Sequence, residues 1–261
     1  MPSSPRWDAR RRHDDRPMVS LAGRVALVTG AGRRVGRAIA LALGAREMRV
    51  VVHYNESAEG ASETARLIED AGGRATIVQA DLSDVGEGER LIERVLEMEG
   101  ALSALVNSAA VMLRTPVGAT TPAAWDAMFA LNVRAPYFLA QHAAPALRAA
   151  RGAIVNIADL AAFEAWPSYV PHGMTKAAIV QMTRALARAL APDVRVNAVA
   201  PGVVLLPDGW SEADAEKLRA TTPLQRLGTP DDVAGAVVYL LEADYVTGEV
   251  IKVDGGRHIR T

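Results

Sequence analysis

From Ser20 onward, short runs of β-branched and apolar residues alternate with longer stretches of helical periodicity. The runs are Val25–Thr29, Arg49–His53, Ala75–Gln79, Ala104–Val106, Ala153–Ile157, Arg195–Ala200 and Val250–Val253. Their apolar positions are nearly consecutive, as in parallel strands buried on both faces. Helical stretches separate them at Gly36–Ala45, Ala58–Ala71, Val85–Met98, Pro122–Leu147, Gly173–Leu190 and Asp231–Leu241. This alternation predicts an α/β protein, with a doubly wound, parallel, seven-stranded sheet and helices on both faces. No internal repeat or linker divides residues 18–261, which read as one domain.

Residues 1–17 break the pattern, with five arginines, three aspartates, three prolines and little that is apolar. Such a segment cannot bury enough surface to order itself and reads as a flexible tail. It lacks the apolar stretch of a signal peptide, so a cytoplasmic protein is expected. No apolar run is long enough to span a membrane.

Basic and acidic residues nearly cancel, 29 against 30, which argues against nucleic acid or an anionic membrane as partner. The chain has no cysteine, and its five histidines form no metal-spaced pair, so thiol chemistry and a metal centre are not expected. Only three basic residues are lysine: Lys176, Lys217 and Lys252.

The first strand runs into Thr29-Gly30-Ala31-Gly32-Arg33-Arg34-Val35-Gly36 and then a helix, the context in which a glycine-rich turn cradles a dinucleotide pyrophosphate. Gly30, Arg33, Arg34, Val35 and Gly36 are candidate contacts in this Rossmann-type site. The second strand ends His53-Tyr54-Asn55, with no carboxylate to accept from a ribose 2′-hydroxyl. Arg33 and Arg34 could pair with a 2′-phosphate, so NADP(H) is favoured over NAD(H), with Glu56 as an opposing charge. Tyr54 and Asn55 would border that pocket. Asp81, followed by Leu82, either accepts from the adenine amino group or caps a turn. The small residues Asn107-Ser108-Ala109 close the fourth strand and leave room for a cofactor against the sheet edge.

The chain resembles the short-chain dehydrogenase/reductase family over residues 20–261. The resemblance rests on TGxxxRxG at 29–36, ADL at 80–82, NSAA at 107–110, LNV around Asn132, PG at Pro201-Gly202, TPLQRLGTPDDVA at 222–234 and VTGEVIKVDGG at 246–256. Arg34 in the glycine loop, HYN at 53–55 and PGVVLLPDGW at 201–210 are similar to the pteridine reductase-type branch. The resemblance implies a Ser-x12-Tyr-x3-Lys site with an upstream asparagine. In that site tyrosine donates a proton, and lysine lowers the tyrosine pKa and binds the nicotinamide ribose.

Anchored on Lys176, the same register reads Asp159-x12-His172-x3-Lys176, with Asn132 upstream. Aspartate in the serine position matches the pteridine reductase-type branch. Histidine in the tyrosine position does not match the family. Three readings stand: His172 takes over the acid–base role, with Asp159 and Lys176 tuning it; the fold binds NADP(H) with weak or lost catalysis; or Tyr169 supplies the hydroxyl.

A small-molecule substrate is expected, with pterin, quinone, small carbonyl and 3-oxoacyl groups as candidates. Val111-Met112-Leu113 lacks the ring that stacks a pterin, and Trp166, Phe163 and Trp210 are candidate pocket walls. Residues 204–225 would form a lid over the substrate. The resemblance implies a homotetramer or homodimer built on the helices at 122–147 and 173–190.

Overall fold

The computed structural model describes residues 18–206 and 211–259. The expected tail 1–17 and Trp210 lie outside the described residues. All seven strands form one parallel sheet: β1 (Val25–Val28), β2 (Arg49–Tyr54), β3 (Arg74–Gln79), β4 (Ala104–Asn107), β5 (Ala153–Ile157), β6 (Arg195–Pro201) and β7 (Val250–Val253). Their order is β3-β2-β1-β4-β5-β6-β7. The helices are α1 (Arg34–Gly44), α2 (Ala58–Asp70), α3 (Val85–Glu99), α4 (Pro122–Phe129), α5 (Ala135–Ala149), α6 (Val170–Leu190), α7 (Glu212–Ala220) and α8 (Pro230–Glu242).

All four residues of β1 are buried, yet alternate ones enter different cores. Ala26 and Val28 pack with Ile39 and Leu43 of α1, Ile68 of α2 and Val237 and Leu240 of α8. Val25 and Leu27 pack with Leu91 and Val95 of α3, Leu139 and Leu147 of α5 and Leu190 of α6. A period of two on a strand covered on both sides sends neighbours to opposite layers. The doubly wound sheet expected from the sequence is thereby realised.

Local chemistry sets several helix starts. The Asp84 carboxylate accepts from the amides of Gly86 and Glu87 at the head of α3, and Gly100 ends that helix at φ 72°. Ser211 and Thr229 each form a capping box, with Asp214 and Asp232 respectively. Arg226 also pairs with Asp232, whose carboxyl is pulled down to about 2, first by this hydrogen bond and then by the Thr229 amide.

The single helix expected over 122–147 is corrected by the structure. A π-helical turn, Ala130–Arg134, separates α4 from α5. Pro136 follows the turn and has no N–H for the carbonyl of Asn132 four residues back, although Pro145 is accommodated inside α5. Hydrophobic periodicity does not register that missing donor. The π turn carries Asn132, and such turns recur where a side chain must be aimed.

The order of the strands reverses between β1 and β4, where consecutive connections leave in opposite directions. In sheets of this kind the ligand-binding crevice lies there, at the carboxyl ends of the strands.

Candidate active site

The glycine loop after β1 lies at the crevice. Gly30 adopts φ 65°, a conformation that costs glycine little. A Cβ at Gly30 would stand 2.9 Å from the Ala109 Cα, and one at Gly36 would overlap the Gly30 carbonyl. Both glycines are therefore required by close backbone approach. Arg34 sits at φ 54° in the same left-handed region, where a side chain is strained. Arg33 and Arg34 are exposed, Val35 is half-buried, and α1 begins at Arg34 with its free amides facing the loop.

Several residues brace this loop. The Thr29 hydroxyl accepts from the amides of Ser108 and Ala109, each at 3.0 Å, which joins the ends of β1 and β4. The Arg37 guanidinium donates to the Gly32 carbonyl at 2.8 Å, the Gly60 carbonyl at 3.1 Å and the Thr64 hydroxyl at 3.0 Å. The Thr64 hydroxyl in turn contacts the Ala31 carbonyl at 3.1 Å. His53 holds the loop from the other side. Arg37 and Thr64 carry no motif of their own, and His53 stands out in the sequence only as part of HYN.

The remaining nucleotide candidates are placed as follows. Tyr54 is half-buried against the core, and Asn55 is exposed beside Gln79. Asp81 is exposed, and its Oδ1 accepts from the Ser83 amide at 2.9 Å and the Ser83 hydroxyl at 2.8 Å. One oxygen of Asp81 is thus a turn cap. Leu82 is buried among Leu91, Val95 and Leu139, which leaves only its backbone for a ligand. Asn107 donates to Asn156 at 2.8 Å, and Asn156 donates to Thr183 at 2.9 Å, so this motif asparagine joins β4 to β5 and α6. Pro201 ends β6, and a Cβ at Gly202 would meet Asp254 at 2.8 Å.

The second cluster gathers at the start of α6. His172 is 2% exposed, and neither ring nitrogen has a hydrogen-bond partner. Its Nε2 lies 3.7 Å from Asp159 Oδ2. Asp159 follows β5, and its other oxygen accepts from the Ala161 amide at 2.8 Å, which fixes the carboxylate. Lys176, one turn beyond His172, donates to the Ile157 carbonyl at 2.9 Å. Burial pushes the ammonium pKa down, and the charge of Asp159 opposes that shift. A desolvated ammonium beside a carboxylate and an imidazole can hold and pass a proton.

Asn132 lies on the same side. Its carbonyl accepts from the Val111 amide and its NH2 donates to the Val111 carbonyl, both at 2.8 Å. The NH2 also reaches the Thr175 hydroxyl at 3.2 Å. The asparagine thus ties the loop after β4 to α6 next to Lys176. Tyr169 precedes α6, and its ring meets Trp166 edge-on at 6.3 Å. Phe163 is exposed, and Lys252 lies over its ring at 4.6 Å. Trp166 donates from Nε1 to Glu164 at 2.8 Å. The stretch 204–225 contains α7. Among the described residues no helix is long and apolar enough to cross a membrane.

Comparison with known proteins agrees with this geometry. The enoyl-(acyl carrier protein) reductase family profile matches residues 30–258. The 3-oxoacyl-[acyl-carrier-protein] reductase of Synechocystis sp. is 35% identical over 244 residues, covering 92% of this chain and 98% of that protein. The hydroxynaphthalene reductase-like protein of Metarhizium guizhouense is 36% identical over 256 residues, covering 91% of this chain and 96% of that protein. Among solved structures, angucycline C-6 ketoreductase LanV with bound NADP superposes with a TM-score of 0.86 at 35% identity, over 92% of this chain and 98% of that one. A glycine loop at the sheet's switch point, a lysine-bearing helix beside β5 and these full-length similarities lead to one conclusion: the chain belongs to the short-chain dehydrogenase/reductase family of oxidoreductases.

Proposed function

We propose that this protein is an NADP(H)-dependent reductase of a small carbonyl or 3-oxoacyl-type compound, with Asp159, His172 and Lys176 at its chemical centre and Asn132 in support. The observation that carries the reading is the buried His172 imidazole, 3.7 Å from Asp159 and one helical turn from Lys176, with both ring nitrogens unpartnered. A buried polar group without a partner is costly, so its retention points to a ligand or a reacting group that completes it.

The glycine loop fits a dinucleotide, because its glycines let it fold tightly against Ala109 between a strand and a helix N-terminus, the setting of a pyrophosphate cradle. Gly30, Gly36 and the free amides of α1 would hold the pyrophosphate, and Arg33 and Arg34 the 2′-phosphate. The named ketoreductase relative with bound NADP supports this preference. When bound, the nicotinamide supplies the hydride. His172, as imidazolium, donates the proton to the carbonyl oxygen as the alcohol forms. Asp159 would stabilise the charged ring, and Lys176 would bind the ribose hydroxyls and return to His172 a proton that it regains from solvent. The carbonyl class is favoured over a pterin because Val111-Met112-Leu113 offers no stacking ring and two of the proteins named above are a 3-oxoacyl reductase and a ketoreductase. Tyr169 is assigned to the pocket wall beside Trp166, on the strength of their ring contact. The exposed Tyr137 of α5 and Met174 of α6 support assembly into a homotetramer or homodimer through those helices.

A second reading has its own support. The same unpartnered imidazole fits a nucleotide-binding protein in which the loss of tyrosine has left little catalysis. The two separate on one experiment. The parent and His172→Tyr are assayed with NADPH against a panel of ketones, 3-oxoacyl thioesters, quinones and pterins. Activity in the parent that His172→Ala removes supports the relay. An inert parent with an active His172→Tyr variant supports the second reading.

A further inference from the structure

His53 is the penultimate residue of β2 and is 2% exposed. Its backbone carbonyl accepts from the Ala31 amide at 2.9 Å, and its Nδ1 accepts from the Gly30 amide at 3.1 Å. A single residue thus receives two successive N–H groups of the glycine loop. Across the ring, Nε2 lies 3.0 Å from the carbonyl of Ala80, the residue before Asp81. The partners dictate the tautomer. An N–H aimed at Nδ1 requires a lone pair there, and a carbonyl facing Nε2 requires the proton there.

We propose that His53 is a positioning residue for the nucleotide: its neutral imidazole, protonated on Nε2, sets the distance between the glycine loop and the end of β3. The proposal rests on the reading of this loop as the dinucleotide site. The pyrophosphate side of that site is Gly30 to Gly36 and the adenine side begins at Asp81, and the ring spans from one to the other. By engaging the Gly30 and Ala31 amides inside the protein, His53 leaves the amides at the head of α1 to face an anion. Burial pushes the imidazole down to about 4, the Ala80 bond opposes this and the Arg94 charge reinforces it, so the ring is neutral at pH 7. An imidazolium would lose the Gly30 bond, because both nitrogens would then be donors.

Three side chains separate the two ends of this pin. Leucine removes both bonds. Asparagine places an oxygen near the Nδ1 position and keeps an acceptor for Gly30. Glutamine reaches toward the Nε2 position and keeps a donor for Ala80. NADPH and NADH binding to the parent and the three variants is read by fluorescence titration. The ring nitrogens of the parent are read by long-range 1H–15N NMR at pH 7. The expected results are an Nε2-protonated neutral ring, a loss of NADPH affinity of roughly tenfold or more in His53→Leu, and a smaller loss in His53→Asn and His53→Gln, each of which keeps one end of the span, with asparagine the less impaired because it keeps the bond to the loop. A ring protonated on Nδ1, or His53→Leu binding NADPH as tightly as the parent, overturns the proposal. If His53→Leu does not fold, the parent ring tautomer and His53→Asn decide: an affinity loss in the asparagine variant as large as in glutamine's overturns the role given to the Gly30 bond. A parent that binds neither dinucleotide overturns the nucleotide reading and the positioning role with it, whereas a wrong tautomer in a parent that binds NADPH overturns the pin alone.

Discussion

The imidazole of His172 and the carboxylate of Asp159 stand 3.7 Å apart in a site where the Asp159 carboxylate is anchored and the imidazole is not. The Ala161 amide holds one Asp159 oxygen and leaves the other facing the ring. A positioned acid or base contributes about a hundredfold or more to a rate. His172→Ala is therefore expected to lower kcat on a ketone by about a hundredfold with little change in KM. Asp159→Asn keeps an acceptor for Ala161 but removes the charge, and is expected to lower kcat by about tenfold. Steady-state kinetics checks both. A loss confined to KM would assign the pair to substrate binding instead.

Lys176 is an ammonium held at cost. Burial pushes its pKa down and one backbone carbonyl receives it. An apolar side chain of similar volume removes that desolvation, which offsets the loss of the Ile157 hydrogen bond. Lys176→Met is expected to match or exceed the parent in melting temperature while losing activity by about a hundredfold or more. Lys176→Arg is expected to fail on both counts, because a larger planar fork must enter a filled position. An active Lys176→Met variant would remove lysine from the chemistry.

The pH dependence of stability carries the signature of His53. The folded chain binds a proton there only near pH 4, whereas the unfolded chain does so near the ordinary value of 6.5. Between these values the unfolded state holds more protons, so stability falls as pH falls through that window and is fully present above it. The whole window is worth ~3 kcal/mol. Denaturant unfolding at pH 7 and pH 4.5 is expected to show a larger loss for the parent than for His53→Asn. Equal losses would mean that the buried ring already titrates normally.

Arg34 combines strain with charge. At φ 54° glycine would relieve backbone strain, and Arg34→Gly is expected to change stability by less than ~1 kcal/mol in the favourable direction, the relief being offset by chain entropy. The same variant, and Arg33→Ala, are expected to lower the preference for NADPH over NADH by about tenfold, since each removes a guanidinium available to the 2′-phosphate. Parallel titrations with the two dinucleotides check this. An unchanged ratio would leave these arginines as surface charge.

Much of the architecture was legible along the chain because it follows from short-range pattern. Consecutive apolar residues at Val25–Val28 can only be covered on both faces, and strand–helix alternation then requires a parallel, doubly wound sheet. The glycine loop, Lys176 and the spacing to Asp159 and His172 were likewise visible as residue types at fixed intervals. The change of pitch before Pro136 is hidden from hydrophobic periodicity, so the pattern gives one helix where a π turn carries Asn132.

What the tertiary structure decided concerns groups brought together from distant elements. No interval in the chain relates His53 to Gly30 and Ala80, or Arg37 to Thr64 and Gly60; parallel pairing of β1, β2 and β3 makes the first contacts and the packing of α1 on α2 the second. The division of labour at Asp81, half turn cap, and the burial of the Leu82 side chain also depend on packing. The sequence by itself determined the fold and the residue types at the site, because hydrophobic periodicity and backbone sterics act locally. Only the folded chain decided which nitrogens are engaged, which Asp159 oxygen faces His172 and that the His172 ring has no hydrogen bond, because hydrogen bonding depends on distances that long-range packing sets.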